Sequence, residues 1–236
     1  MLIVHGGSQG ASAWINNLEE LARDYTVYIP DLPGFGQSQP LAGDCYLPEL
    51  ADFLDKFAEK LGLSSFHLVG HSLGGAVALH YALSSPQKIT KLVLVSSLSL
   101  GKEIALWVRC LANPRVVRHL GRVMLGLIKA VKWLAGALLL APLEAAMPFT
   151  ATSVSVGCYV TTFKEQTTVF LSRLSELLMP TLVVWGAKDP IVPARQAYAA
   201  ADLIPDCQVK VFAGTGHSVY RDRLPEFNRL LRGFLG

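Results

Sequence analysis

The chain has 236 residues, 51% of them hydrophobic and 17% charged, which is enough to bury one full core without disulfides or a metal. This composition excludes a disordered chain, and a net charge of +3 is too small to argue for nucleic acid. Cys45, Cys110, Cys158 and Cys207 show no paired or metal-like spacing, and the first residues do not read as a signal peptide, so the expected setting is reducing and cytoplasmic, with no metal and no cofactor.

Residues 2–4 form a short apolar run that stops at His5-Gly6-Gly7-Ser8, which reads as a buried strand opening into a glycine-rich loop. A helix over residues 13–24 and a strand over 26–29 follow. The strand ends at Asp31-Leu32-Pro33-Gly34-Phe35-Gly36-Gln37-Ser38, a stretch dense in turn formers. Leu47, Leu50, Leu54, Phe57 and Leu61 then fall on one face of an amphipathic helix, with Pro48 near its start and Gly62 at its end. Residues 66–69 read as a strand that runs through Gly70-His71-Ser72-Leu73-Gly74-Gly75 into a buried helix over 76–83. Strands over 91–95, 181–185 and 207–212 complete an alternation in which each strand is apolar on both faces. That pattern predicts an α/β fold with a mostly parallel sheet covered by helices on two sides. Function is then expected at the strands' carboxyl ends, where His5, Asp31, Ser72 and Asp189 lie.

The alternation stops between Ser97 and Pro180, where apolar, helical sequence takes over. Residues 1–97 and 181–236 are therefore expected to form the core, and residues 98–180 an inserted helical cap. Within 101–180 nine Lys or Arg face four acids, a local net charge of +5 that leaves −2 for the remainder. Arg115, Arg118, Arg122, Lys129 and Lys132 share one helical stripe, which fits an anionic membrane surface, an acidic partner or an ordinary solvated face. The apolar run over residues 133–143 is too short to span a bilayer, which needs about 20 residues. Trp107, Trp133 and Phe149 make the cap suited to a lipophilic or acyl substrate, although packing on the sheet explains the same residues.

Ser72 is the candidate nucleophile. A serine hydroxyl attacks poorly at neutral pH unless a turn holds it clear of the backbone, beside a base and an N–H that can receive an oxyanion. Gly-x-Ser-x-Gly between a strand and a helix supplies that turn, whereas alone it would be an ordinary tight turn. His217 is the candidate base: it follows the last strand in Gly214-Thr215-Gly216-His217-Ser218. The other histidines have simpler readings, His5 as a brace for the glycine loop, His67 and His71 flanking the turn, His80 on the next helix and His119 in the cap. Asp189, in the turn after the penultimate strand, is the candidate acid, since Ser, Asp and His appear in the order expected for such a triad on this architecture. The oxyanion donors are expected to be the backbone N–H groups of Leu73 and Gly7, with Ser8 as the alternative to Gly7.

Taken together, His5-Gly6-Gly7, Asp31 to Ser38, Gly70 to Gly75, Gly186 to Asp189 and Gly216-His217 make the chain resemble the α/β-hydrolase superfamily, close to its capped serine esterases. The resemblance implies the α/β-hydrolase fold with a cap inserted after the sixth strand. Family members begin with a two-stranded hairpin before the glycine loop, but only about four residues precede it here: either the start is truncated, or the protein lives without those strands and residues 26–29 form an exposed sheet edge. The expected activity is hydrolysis of a small-molecule carboxylic ester through an acyl-enzyme. The rivals are carbon–carbon bond hydrolysis, cofactor-free peroxyacid formation and a non-catalytic binding protein. Dehalogenase and epoxide hydrolase chemistry are disfavoured because those relatives carry Asp where Ser72 stands.

Overall fold

The computed structural model describes residues 1–7, 10–42, 46–105 and 170–236. Ser8, most of the expected cap with its basic stripe, Trp107, Trp133, Phe149, and three of the four cysteines lie outside the described residues.

Five strands, β1 (Leu2–Val4), β2 (Phe66–His71), β3 (Ile89–Val95), β4 (Thr181–Gly186) and β5 (Cys207–Phe212), form one sheet in that order, and every neighbouring pair is parallel. Side chains alternate across a strand, and both faces are used. Leu2, Val4, Leu68, Leu92, Leu94, Val183 and Trp185 point into a core covered by α2 (Leu47–Lys60), α3 (Leu73–Ser84) and α4 (Arg195–Ala201). Ile3, Val69, Val93, Val95, Leu182 and Val184 point into a second core under α1 (Ile15–Leu21), α5 (Val219–Asp222) and α6 (Leu224–Leu235). The apolar runs on both faces of the inner strands therefore have a direct cause. Edge strand β5 departs from the expectation: Gln208 and Lys210 alternate outward and are exposed, which keeps an open sheet edge soluble.

Three local expectations are corrected. The helix expected over 13–24 is a 3-10 turn, Gly10–Trp14, followed by α1, which stops at Leu21. The strand expected over 26–29 is reduced to one parallel bridge, Leu2 to Tyr28. Two hydrogen bonds hold it, Ile3 N–H to Tyr28 O and Tyr28 N–H to Met1 O, each 2.9 Å. Leu61 is not on the buried face of α2. Gly62 adopts φ +67° and turns the chain away, as a glycine just past a helix end does, and Leu61 is left exposed. The other end of α2 is closed by Glu49, whose carboxylate accepts the Tyr46 N–H at 3.1 Å.

α3 is buried nearly all round, with only His80 and Ser84 outside its buried set, because it is wedged between the sheet and α2. Segments flanking residues 106–169 also join this core, since Leu98, Leu100, Phe170, Leu174 and Leu177 lie in the same buried cluster as α2 and α3. Among the described residues no helix is long and apolar enough to cross a membrane.

Candidate active site

Ser72 stands between β2 and α3 with φ 53° and ψ −117°, a region that L-residues avoid and that persists only where the surroundings force it. The forcing contacts are visible. Ser72 N–H donates to Val95 O at the end of β3, and Ser72 O accepts from Leu98 N–H, both at 3.0 Å. The turn also needs glycine at its flanks. A Cβ on Gly74 would overlap the carbonyl oxygens of Val4 and His5, and one on Gly70 would overlap that of Gly74. The sharp turn thus lets α3 start against the carboxyl end of β1. Leu73, first residue of α3, has an N–H of the kind that finds no acceptor within its own helix, and Gly7 follows β1 in the adjoining loop.

His217 and Asp189 are joined directly: Nδ1 of His217 lies 2.8 Å from Oδ2 of Asp189, whose side chain is fully buried. A carboxylate oxygen accepts, so Nδ1 carries the proton and Nε2 keeps its lone pair, an assignment made from the bonding pattern. The second oxygen of Asp189 accepts the N–H groups of Ile191 at 2.8 Å and Val192 at 3.0 Å. These bonds leave the carboxylate little freedom to turn. Its loop is laced to that of His217 by Lys188 N–H to Thr215 O at 2.9 Å, and Trp185 Nε1–H holds Val192 O at 3.0 Å.

The glycine loop is braced from behind, as expected of His5. This ring is fully buried; its Nε2 accepts the Leu32 N–H at 2.9 Å, so its Nδ1–H donates to Gly6 O at 2.6 Å. Burial pushes His5 below its ordinary pKa, against the opposing pull of the Gly6 bond and the Asp31 charge. Asp31 clamps the loop to the next one, accepting Ala11 N–H at 2.6 Å and Gln37 N–H at 2.9 Å. Desolvation would raise the Asp31 carboxyl, but those two N–H groups and His5 outweigh it, and it lies below the usual carboxylate range.

Each sequence-derived site residue that can be described therefore lies at the carboxyl ends of the strands. Asp189 and His217 touch, and Ser72 meets the His217 loop through its chain neighbour: the His71 and His217 rings are 4.9 Å apart. The sequence reading treated His71 only as a flank, although a second histidine inside the turn was a signal that could have been followed. It also passed over Ser96 and Ser99, which with Ser72 are the three non-glycine residues of positive φ among those described. Their strain has no signature in serine itself.

The description "Alpha/beta hydrolase family" matches residues 1–230. The chain is 33% identical over its whole length to a dihydrolipoyllysine-residue acetyltransferase component of the acetoin cleaving system of Cupriavidus necator, and spans 63% of the length of that relative. It is 29% identical, again over its whole length and 86% of the relative, to a 2-hydroxy-6-oxononadienedioate/2-hydroxy-6-oxononatrienedioate hydrolase of Cupriavidus pinatubonensis. A thermophilic esterase from Thermogutta terrifontis superposes with a TM-score of 0.76 at 27% identity, covering 99% of this chain and 88% of that one. With a parallel sheet clothed on both faces, a serine in a strained strand-to-helix turn, and a match that runs from the first residue to the last helix, the chain belongs to the alpha/beta hydrolase family.

Proposed function

We propose that the protein is a serine hydrolase that cleaves a carboxylic ester through an acyl-enzyme, with Ser72 as nucleophile, His217 as base and Asp189 as the orienting acid. The observation that carries this reading is the 2.8 Å bond from His217 Nδ1 to a carboxylate that is itself held by two backbone N–H groups, at the strand ends where Ser72 makes its strained turn. Only such a fixed tautomer leaves Nε2 free to take a proton.

Ser72 Oγ attacks the ester carbonyl as His217 Nε2 removes its proton, and the oxyanion is received by the N–H groups of Leu73 and Gly7. Collapse expels the alcohol, protonated by His217. Water, activated by the same nitrogen, then attacks the acyl carbonyl and frees Ser72. Asp189 stays ionised throughout and stabilises the imidazolium. We take the apolar residues Trp107, Trp133 and Phe149 of the inserted segment, on the sequence alone, as the source of an acyl pocket.

A second reading, hydrolysis of a carbon–carbon bond next to a ketone, is favoured by the Cupriavidus pinatubonensis hydrolase, whose substrates are 2-hydroxy-6-oxo dienedioates. The same Ser72 attack would serve, with the leaving group a carbon that must gain a proton. An organophosphonate probe and a pair of substrate assays test both. Labelling of the wild type but not of Ser72→Ala supports a serine hydrolase, and no labelling of a folded sample favours a binding protein. Higher kcat/KM on p-nitrophenyl esters than on a 2-hydroxy-6-oxo dienoate supports ester cleavage, and the reverse order overturns it. Among the esters, activity that falls from acetate to octanoate counts against an apolar acyl pocket.

A further inference from the structure

We propose that His71 is a positioning residue for His217, holding the backbone carbonyl of His217 and so setting where that imidazole stands beside Ser72. The inference rests on the reading of His217 as the base.

His71 Nε2 lies 3.0 Å from the His217 carbonyl oxygen. A carbonyl only accepts, so Nε2 carries the proton and Nδ1 is bare. That nitrogen is buried and has no hydrogen-bond partner among the described residues. A buried acceptor left unpaired is unfavourable, and a residue present only to fill space would be apolar and avoid it. The imidazole is retained at that penalty, and the bond it makes is to the carbonyl of His217.

The surroundings explain why this contact can transmit position. His71 is the last residue of β2, in parallel register with Val95, so its backbone belongs to the rigid middle of the sheet. Its ring meets Tyr220 edge-on at 4.8 Å, and Tyr220 stacks on Trp14 at 4.1 Å, which fixes the ring from the α1 side. On the other side it abuts the glycine loop, where a Cβ on Gly6 would stand 2.7 Å from His71 Nδ1 and 3.3 Å from Ser72 Cβ. One ring therefore touches the three segments that must stay in register, the serine turn, the His217 loop and the loop of Gly6 and Gly7. Burial above all, then the facing His217, His5 and Arg221, keeps this ring neutral, although its bond to the His217 carbonyl pulls the other way. Neutral or charged, a ring with its proton on Nε2 donates to that carbonyl, so the contact holds throughout turnover.

The test compares two substitutions in the full chain. His71→Leu removes the donor and keeps apolar bulk, whereas His71→Gln keeps an N–H donor at similar reach. With p-nitrophenyl acetate, His71→Leu should lose about 10- to 100-fold in kcat with KM little changed, the scale of a 1 Å misplacement. Its rate of organophosphonate labelling should fall in parallel, and His71→Gln should recover most of both. In a His217→Ala background His71→Leu should produce no further loss, because its only route is through His217. If His71→Leu does not fold, His71→Asn, whose amide stops short of the carbonyl, takes its place with the same expectation. A folded His71→Leu with wild-type kcat and labelling rate overturns the inference, as does equal loss in the Leu and Gln variants that adds fully to His217→Ala. If Ser72→Ala and His217→Ala keep wild-type activity, the hydrolase reading falls and this one with it. If they abolish activity while His71→Leu does not, this one falls alone.

Discussion

The two ends of the sheet hold the same residue type in different company. At the amino ends His67 pairs with the Thr90 hydroxyl at 2.6 Å, at the edge of an open cleft of about 320 Å³ also lined by Met1, Tyr28 and Phe66. At the carboxyl ends His217 pairs with a fully buried carboxylate, and Ser72, Ser96 and Ser99, the three non-glycine residues of positive φ among those described, gather there. His67 lies on β2 and His217 follows β5, and a cleft opens beside the former. A cavity and a histidine therefore do not make a site. What separates the two ends is backbone strain held in place by its neighbours, together with an imidazole whose tautomer is fixed by an acid.

The widest gap between the ends should appear on removing the reactive groups. Ser72→Ala or His217→Ala is expected to lower kcat by about 10⁴- to 10⁶-fold, and Asp189→Asn by about 10⁴-fold through the wrong tautomer, with folding unchanged by circular dichroism. Steady-state kinetics on a p-nitrophenyl ester measures all three. A loss below tenfold in any of them would erase the distinction between the two ends.

Next in size is the packing beneath the site. Trp14 is fully buried and stacked on Tyr220, which in turn meets His71. Trp14→Ala should destabilise by about 3–5 kcal/mol, read as a lower denaturant midpoint. Because the lost ring supports Tyr220, kcat should fall as well at temperatures where the variant remains folded. Leu50→Ala in the opposite core, on the buried face of α2, should lose comparable stability with kcat unchanged while folded. Equal effects of the two on kcat would mean that the site is indifferent to which face supports it.

Much of this fold was legible in the sequence because inner strands of a parallel sheet are apolar on both faces, so residues 91–95 and 181–185 could be read only one way. Asp189 and His217 were legible because each follows a strand in a glycine- or proline-marked turn. Residues 26–29 misled: their β-branched pattern is that of a strand, but a strand needs a ladder, and the one bridge to Leu2 does not make one. The bond from His71 to the His217 carbonyl spans 146 positions, and no local pattern encodes it. The same holds for the positive φ of Ser96 and Ser99.

Stability should carry the comparison into pH. His5 and His71 are buried and held below their ordinary pKa, so the folded chain refuses protons that the unfolded chain accepts near pH 6.5. Stability is then full above about pH 6.5 and declines as pH falls through it, by about 1.4 kcal/mol per pH unit for each such histidine. Asp31 and Asp55, whose carboxyls lie below the usual range, act in a separate window, with stability present above about pH 4 and lost below it. Urea midpoints between pH 7.5 and 5.5 therefore report these histidines together with His67, His80 and the N-terminal ammonium, all of which burial lowers, and the single substitution separates His71 from them. His71→Gln should flatten that slope by about one proton, and an unchanged slope would mean that His71 is protonated in the folded state.

The smallest effect expected belongs to the amino end. Thr90→Val leaves the His67 ring without its hydroxyl partner, but this pair is exposed, so water can replace the lost bond. Stability should change by no more than about 1 kcal/mol and kcat by less than about twofold, since among the described residues no chain of ring contacts like that of Trp14, Tyr220 and His71 leads from Thr90 to Ser72. Burial of His67 already pushes it below its ordinary pKa, and its nearest charges, the N-terminal ammonium and Lys91, push the same way. Among the described residues no acid acts on it to stabilise an imidazolium, so it lacks what Asp189 gives His217. A tenfold loss of kcat in Thr90→Val, in a protein that still melts like the wild type, would mean that the amino end shapes the chemistry and that strain at the carboxyl end is not what sets it apart.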